Sequence, residues 1–404
     1  MPFQIALSGL NAANSDLKVT SNNIANVNTT GFKQSRAHFA ELFAAGLQSV
    51  TSSATGLGTR LSSIQQQFTQ GTVDFTGNNL DLAIVGDGFF TLSDNGARSY
   101  TRAGAFNVDR DGFVVNSEGL RLQAFPPAGE GFNTAELSDL QLVTANNPPQ
   151  ASDVVTAGLN LPGGAVPPPV TPLDPADAQT FNHTTSLSVI DSLGASNTAS
   201  YFFVKGAAPN AWEVSLYVNG AAVGGPQPLE FDALGSLTVP ANGEIAFPPV
   251  ALANGAEDLE LTTDFSQATQ FGDQFTVNEL SQDGFESGRL TGVDISQEGI
   301  VFARFTNGQS NALGKLAMGN FANVQGLANN GNTTFTETFA SGQALLGEAG
   351  TSNFGLVESG ALEASNVDLT AELVQMITAQ RNFQANAQMI STADTVTQTI
   401  INIR

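Results

Sequence analysis

Both ends of the chain carry apolar side chains at the spacing of a coiled-coil seam. Near the C-terminus, positions seven apart from Leu369 to Thr397 form one row, and further apolar residues follow some of them by four places. Near the N-terminus, a second row runs seven apart from Phe3 to Ile24. We predict an assembly seam made of Leu10, Leu17, Ile24, Leu373, Met376, Phe383 and Ile390.

Local signals place the ends of the two predicted helices. Ser365 followed by Asp368 approximates a capping box for the second helix. Gly31 is predicted to end the first helix in a left-handed conformation, with Val27 and Phe32 in the accompanying hydrophobic contact. Polar residues interrupt both segments, so neither is predicted to span a membrane. Each helix therefore needs a protein partner, either the other helix and copies of the chain, or a β core that the two helices cap.

The pattern between the two helices is that of β structure. Residues 33–70 are rich in Ser, Thr, Gly and Gln with sparse apolar positions, and we interpret them as an extended connector. From Leu80 onward, apolar and polar residues alternate between glycine-containing turns, which predicts antiparallel strands. Similar short runs surround a proline-rich loop at 162–175, and strand patterns like those of the first block return after residue 284.

These patterns predict a multidomain, mainly β protein in which one antiparallel β domain is nested inside another, and in which long N- and C-terminal α-helices pair as a coiled coil. A chain of 404 residues is too long for one ordinary core. The predicted parts are a helical domain (1–32 with 361–404), an extended connector (33–70), a β domain (71–145 with 285–360) and an inserted outer β domain (146–284).

The formal net charge of −23 lies entirely between the two ends. Residues 1–70 and 361–404 together sum to zero, whereas 146–284 hold fifteen acidic residues and one basic residue, Lys205. So few basic residues argue against nucleic-acid binding. Cysteine is absent, which excludes disulfides and thiolate sites. The N-terminus has neither a basic region nor a long apolar run, so we expect no cleaved signal peptide.

No catalytic, cofactor-binding or metal site is predicted. Residues 107–112 partly match a calcium-binding loop, but their flanks alternate as strands, so we predict a hairpin turn. Two Gly-x-Gly segments lack the third glycine of a dinucleotide-binding fingerprint. The two histidines, His38 and His183, lie in different predicted regions, which gives no triad or zinc site. We therefore expect no enzymatic activity.

Five segments, in order along the chain, resemble the signature segments of the rod and hook axial proteins of the bacterial flagellum. They are residues 26–33, 80–90, 101–106, 365–369 and 380–386. Two further segments, 305–309 and 319–327, and the inserted domain resemble the hook members of this family more than the shorter rod members. The resemblance covers 1–145 and 285–404, whereas 146–284 match only in length, place and β character.

The resemblance implies a structural, non-enzymatic subunit that polymerises into the hook, the curved hollow tube that links the basal-body rod to the filament and transmits torque. It implies that the helical domain forms the inner tube, that the 71–145 plus 285–360 domain surrounds it, and that the inserted domain lies outermost. The charge distribution fits this order, because like charges are better screened on the outside.

The resemblance also implies partners and a location. The partners are copies of the chain itself, the distal rod protein, the hook cap, the hook–filament junction protein and the flagellar type III export apparatus. The location is the extracellular hook and basal body, reached by type III export. Phe3 and Leu7 resemble the hydrophobic export element of such subunits. The simpler interpretation is that Phe3 is the first residue of the seam.

Two other functions stay open on the sequence. One is a distal rod subunit of the same family, and the other is a secreted β-rich adhesin or polysaccharide-active enzyme.

For a hook subunit, we expect residues 1–70 and 361–404 to be largely unfolded until assembly, since isolated helices of this polarity are marginal in water.

Overall fold

A helix lies at each end of the chain and β-strands fill the middle. The computed structural model describes residues 2–43, 56–129, 131–142, 146–351 and 353–402. The helices are α1 (Pro2–Ala25) and α2 (Leu369–Asn402), and one short 3-10 helix covers Val324–Gly326. The mainly β class with terminal helices that pack together is confirmed.

The strands fall into three groups along the chain. The first group is β1 (Ser35–Glu41), β2 (Thr59–Gln66), β3 (Val73–Phe75), β4 (Leu82–Val85), β5 (Phe89–Asp94), β6 (Ala97–Thr101), β7 (Asn107–Val108), β8 (Val114–Val115), β9 (Arg121–Phe125), β10 (Pro127–Ala128), β11 (Gly131–Phe132) and β12 (Ser138–Asp139). The second is β13 (Val154–Asn160), β14 (His183–Ile190), β15 (Ser196–Lys205), β16 (Ala211–Val218), β17 (Ala221–Phe231), β18 (Leu237–Val239), β19 (Glu244–Ala246), β20 (Thr262–Asp264) and β21 (Thr276–Gln282). The third is β22 (Leu290–Ile295), β23 (Ile300–Phe305), β24 (Ser310–Asn320), β25 (Ala328–Gly331), β26 (Thr334–Thr336), β27 (Leu345–Glu348), β28 (Leu356–Ser359) and β29 (Ala361–Glu363).

The chain forms two compact units. Unit 1 comprises Met1–Thr144, Gly292–Arg304 and Ser310–Arg404, and unit 2 comprises Ala145–Thr291 and Phe305–Gln309. Both helices belong to unit 1 together with most of the first and third groups of strands. The division of unit 1 into a helical domain, a connector and a β domain stays a prediction.

Unit 1 is built on a branched sheet of twelve strands. Its main path runs β22-β23-β24-β9-β5-β6-β26-β25. Large apolar side chains from the segments before and after unit 2 in the sequence meet in the core of unit 1, among them Leu82, Phe90, Phe106, Leu122 and Met318. The hairpin predicted around residues 107–112 is confirmed, since β7 pairs antiparallel with β8 and Gly112 has a positive φ of 86°. The Asp109 carboxylate closes this turn by accepting hydrogen bonds from the backbone amides of Asp111 and Phe113.

Unit 2 consists of two sheets around one continuous core. The five strands β14 to β18 form an antiparallel meander, and β19-β20-β13-β21 form the second sheet. Within the second sheet, β13 and β20 run parallel, a pairing that the alternation pattern did not predict. The core includes Tyr201, Phe203, Trp212 and Phe265, all at most 1% exposed.

Residues 33–70 differ from the predicted extended connector. Their described part is an antiparallel hairpin in which β1 pairs with β2, from Ser35 opposite Gln66 to Glu41 opposite Thr59. The hairpin lies beside α1, where the Thr59 backbone amide donates to the Ser8 hydroxyl (3.2 Å). Its strands are mostly polar and only partly buried, which hides the usual alternation of a strand. Residues 44–55 of the predicted connector lie outside the described residues.

Candidate functional site

The two terminal helices pack side by side in opposite directions. Near one end, the Asn23 side-chain amide donates to the Glu372 carboxylate (3.3 Å), and one turn further the Gln375 amide donates to Asp16 (3.3 Å). Toward the N-terminus of α1, Gly9 faces the Asn386 side chain. Because residue numbers fall along α1 as they rise along α2, the helices are antiparallel.

Small and polar residues are among those that α1 and α2 bury in the single chain. On α1, the buried residues Ala6, Ala13 and Thr20 stand seven apart. A Cβ atom added at Gly9 would lie 2.6 Å from the Asn386 side-chain oxygen, so the glycine leaves room for this side chain of α2. On α2, the buried residues Ala379 and Glu372 are also seven apart.

The predicted seam residues divide into two sets by their exposure in the single chain. The partly buried ones are Leu10, Leu17, Ile24, Met376 and Ile390. Leu373 and Phe383 are 40% and 37% exposed. The predicted export residues Phe3 and Leu7 are also exposed, at 48% and 42%. The single chain therefore covers only part of the seam, and the role of the seam in assembly stays a prediction.

Further large apolar side chains of α2 are exposed in the single chain, and apart from Leu369 and Ile401, which belong to or follow the heptad row, the sequence reasoning did not single them out. We call them the open apolar residues of α2: Leu369, Val374, Ile377, Met389, Val396, Ile400 and Ile401, all exposed. A single exposed apolar residue is ordinary, whereas a concentration on one element marks an interaction surface. Counting apolar residues around the whole helix, instead of following one heptad row, would have found them.

The helix ends differ from the predicted caps. Asp368, not Ser365, caps α2, because its carboxylate accepts hydrogen bonds from the backbone amides of Thr370 (2.8 Å) and Ala371 (3.1 Å). Helix α1 ends at Ala25, six residues before Gly31. Gly31 does have a positive φ of 68°, but its amide donates to the Glu363 carbonyl and not to the helix.

Four polar side chains, those of Asn23, Gln34, Asn366 and Glu372, connect the end of α1, the start of β1 and the start of α2. The Asn23 amide both accepts from the Ser35 backbone N–H (2.9 Å) and donates to the Ser35 carbonyl (2.8 Å). The Glu372 carboxylate accepts from the Gln34 side chain (2.5 Å). The Asn366 side chain accepts from the Gln34 backbone N–H (2.7 Å). Residues more than 330 positions apart are thereby fixed to each other.

The described residues hold neither a membrane-spanning helix nor a group of metal ligands. In the part of the chain that the structure describes, no helix is long and apolar enough to cross a membrane. Within the same residues, no group of three or more metal-ligating side chains is placed to hold an ion.

Four segments of the chain match models of flagellar protein families. Residues 3–33 match the model described as flagella basal body rod protein, and residues 83–160 match the flagellar hook protein FlgE/F/G D1 domain. Residues 160–285 match the flagellar basal body protein FlaE D2 domain. Residues 358–403 match the flagellar basal body rod FlgEFG protein C-terminal model.

Individual relatives match over the full length. The flagellar hook protein FlgE of Escherichia coli (strain K12) is 40% identical over 100% of both chains, and that of Salmonella typhimurium is 37% identical over 100% of both. The crystal structure of Helicobacter pylori flagellar hook protein FlgE2 matches in fold, with a TM-score of 0.52 at 16% identity over 72% of this chain and 100% of that one. Because the chain is 40% and 37% identical to these Escherichia coli and Salmonella typhimurium proteins over its whole length, it belongs to the FlgE family of flagellar hook proteins.

Proposed function

We propose that this chain is a structural, non-enzymatic subunit that polymerises with copies of itself into the flagellar hook, the flexible hollow tube that transmits motor torque from the rod to the filament. Membership of the hook protein family supports this function. The observation that carries the self-assembly is the set of open apolar residues on α2.

The physical argument rests on incomplete burial. Covering one Val, Leu, Ile, Phe or Met side chain contributes about 1.5–3 kcal/mol. Helix α2 is 34 residues long and α1 is 24, and among the described apolar side chains of α2 only Ala379 is buried in the single chain. Other copies of α1 and α2 can supply the missing partners, because the same helices in each copy expose the same kind of surface.

We propose that the seam residues and the open apolar residues of α2 lie between neighbouring subunits at the inner tube. The seam comprises Leu10, Leu17, Ile24, Leu373, Met376, Phe383 and Ile390. The domain of 71–145 with 285–360 would surround this tube, and the inserted domain of 146–284 would lie outermost. The charge distribution supports this order, since the neutral ends avoid repulsion where subunits are most crowded.

An assembly assay tests the proposal at one position. Phe383→Asp should prevent tube formation, because the new carboxylate would be desolvated without a partner. Phe383→Leu keeps the apolar character and should still assemble, so it serves as the matched control. The fluorescence of Trp212, which lies in the unit 2 core, reports whether unit 2 of each variant is folded. Normal tubes from Phe383→Asp, seen by electron microscopy, would remove this face from the interface.

The export element is a separate proposal. Phe3 and Leu7 lie exposed at the start of α1, where an export gate can reach them before assembly. Phe3→Ala should reduce secretion more than Leu17→Ala does, since Leu17 is a seam residue further along the helix. Equal secretion of the two variants would assign Phe3 to the seam alone.

The same proposal extends to the other partners and to the location. The subunit would be exported through the flagellar type III apparatus without a cleaved signal peptide and would act outside the cell. The tube built from these subunits would contact the distal rod protein at one end and the hook cap or the hook–filament junction protein at the other. Family membership supports these partners as a class.

A further inference from the structure

Three charged side chains that are far apart in sequence meet inside unit 1. The Lys33 ammonium donates to one oxygen of the Glu363 carboxylate (2.6 Å), and the Arg102 guanidinium donates to the other oxygen (3.3 Å). The side chains of Lys33, Glu363 and Arg102 are 1%, 0% and 5% exposed. We call these three residues the ion cluster.

Backbone groups satisfy most of the remaining polar atoms of the ion cluster, and the Arg102 Nε is the buried atom left without a hydrogen-bond partner. The Lys33 ammonium also donates to the Thr69 carbonyl (2.8 Å), and the Arg102 guanidinium donates to the Gly86 carbonyl (2.7 Å). The Gly71 amide donates to the Glu363 carboxylate (2.9 Å). A buried ion pair persists only when such hydrogen bonds accompany it, so the arrangement is a built site and not a chance contact.

The ion cluster joins the segments that lead into both helices to the β structure. Lys33 lies between α1 and β1, Glu363 is the last residue of β29 before α2, and Arg102 directly follows β6. At Gly31, an added Cβ atom would lie 2.4 Å from the Ala103 amide nitrogen, so the chain before Lys33 is pressed against the chain after Arg102. The Gly31 amide donates to the Glu363 carbonyl (2.8 Å).

The charges in the cluster do not balance. Two buried cations share one carboxylate, and Asp87 gives Arg102 only a weaker additional attraction, so Lys33 in particular depends on Glu363 for its neutralisation. Burial lowers the pKa of Lys33 and of Arg102, and in both residues the Glu363 carboxylate opposes this shift. Glu363 is therefore the member whose loss leaves the largest uncompensated charge.

We propose that the ion cluster is a lock that fastens the inner ends of α1 and α2 to the β structure of unit 1, with Glu363 as its central positioning residue. Some of the segments that carry the family resemblance, residues 26–33, 80–90 and 101–106, converge on this cluster. The lock gives the helices a fixed attachment, so that force on the helices reaches the β structure through charged and backbone contacts.

Hydrogen exchange measured on assembled tubes of the full chain tests the lock. Glu363→Gln keeps the shape of the side chain but removes the carboxylate that the two buried cations share. The amides of Gly31 and Gly71 should then exchange about 100-fold faster or more, in keeping with the loss of one partner from a buried pair. Lys33→Met should have a smaller effect, because Arg102 and Glu363 still neutralise each other. Asp294→Asn removes an ion pair with Arg304 that is exposed, and it should leave both amides unchanged.

The double variant Lys33→Met/Glu363→Gln separates a lock from a merely structural role. Removing one of the two stranded cations should restore part of the protection that Glu363→Gln loses. If Glu363→Gln does not assemble, assembly itself becomes the readout, and the double variant should regain it. The lock is overturned if Glu363→Gln behaves like Asp294→Asn, or if the double variant is no better than Glu363→Gln. Because the test uses tubes, it rests on the proposed function, but failure of the unmodified chain to form tubes would count against that function and not against the lock.

Discussion

The core of unit 2 and the terminal helix pair bury their apolar side chains in opposite ways. In unit 2, large aromatic residues such as Tyr201, Phe203 and Trp212 are at most 1% exposed. In the helix pair, the buried apolar residues in the described chain are Ala6, Ala13, Val19 and Ala379, while the open apolar residues of α2 are exposed. Unit 2 completes its core within one chain, whereas we expect the helices to depend on other chains to complete theirs.

The largest effect should follow from a change in the completed core. Phe203 is fully buried and makes an edge-to-face contact with Phe265, at 6.3 Å between ring centroids. Phe203→Ala should lower the free energy of unfolding of unit 2 by about 3–5 kcal/mol, through lost burial and a cavity. Urea unfolding followed by Trp212 fluorescence measures it.

The matched change on the helix side is Val374→Ala. Because Val374 is exposed in the single chain, this variant should change the stability of the soluble chain by no more than about 0.5 kcal/mol. The same variant should raise the concentration needed for assembly. A large loss of soluble-chain stability would mean that this side chain is already covered before assembly, which would break the comparison.

The sequence pattern predicted the helices but not which face each one uses within the chain. A row such as Met376, Phe383 and Ile390 shows that a helix needs an apolar partner, but it carries no information on whether that partner is the same chain or another copy. A small residue such as Gly9 gives no apolar periodic signal, although it lies directly against the Asn386 side chain of α2. The face within one chain therefore escaped prediction.

Other features depended on contacts that no local pattern encodes. The mostly polar strands β1 and β2 are only partly buried, so their alternation is too weak to distinguish a hairpin from a connector. The ion cluster joins Lys33 to Glu363 across 330 positions, and each residue alone resembles an ordinary surface charge. The strands of unit 2, in contrast, were visible because strong apolar alternation, as in β16, matches the burial of the strand.

A smaller effect should come from acid on unit 2. His183 stacks on Phe275, at 4.5 Å between ring centroids, and burial lowers the pKa of His183. The unfolded chain therefore binds a proton at His183 more readily than the folded chain does. The contribution of His183 to the stability of unit 2 is fully present above about pH 6.5 and declines as the pH falls toward the folded pKa. Replacing His183 with Gln should flatten this part of the curve of unfolding free energy against pH. An unchanged slope would assign the acid sensitivity to carboxylates.

The smallest expected effect concerns charge and salt. If the domains of residues 146–284 stand side by side, their charge of −14 each opposes assembly, and the Debye length falls from about 10 Å at 0.1 M salt to about 3 Å at 1 M. Sodium chloride should therefore favour assembly of the full chain. A chain without residues 146–284 has a formal charge of −9 and should show a weaker salt dependence of its critical concentration. An equal or steeper dependence would contradict the outer placement of this domain.

The most direct test of the comparison is hydrogen exchange of the unmodified full chain, measured in solution and again in tubes. We expect the amides of β15 and β16 to be protected equally in both states, because the unit 2 core is complete in one chain. The amides of α1 and α2 should exchange rapidly in solution and become protected only in tubes. Full protection of both helices in the soluble chain would contradict the claim that other subunits complete the helix pair.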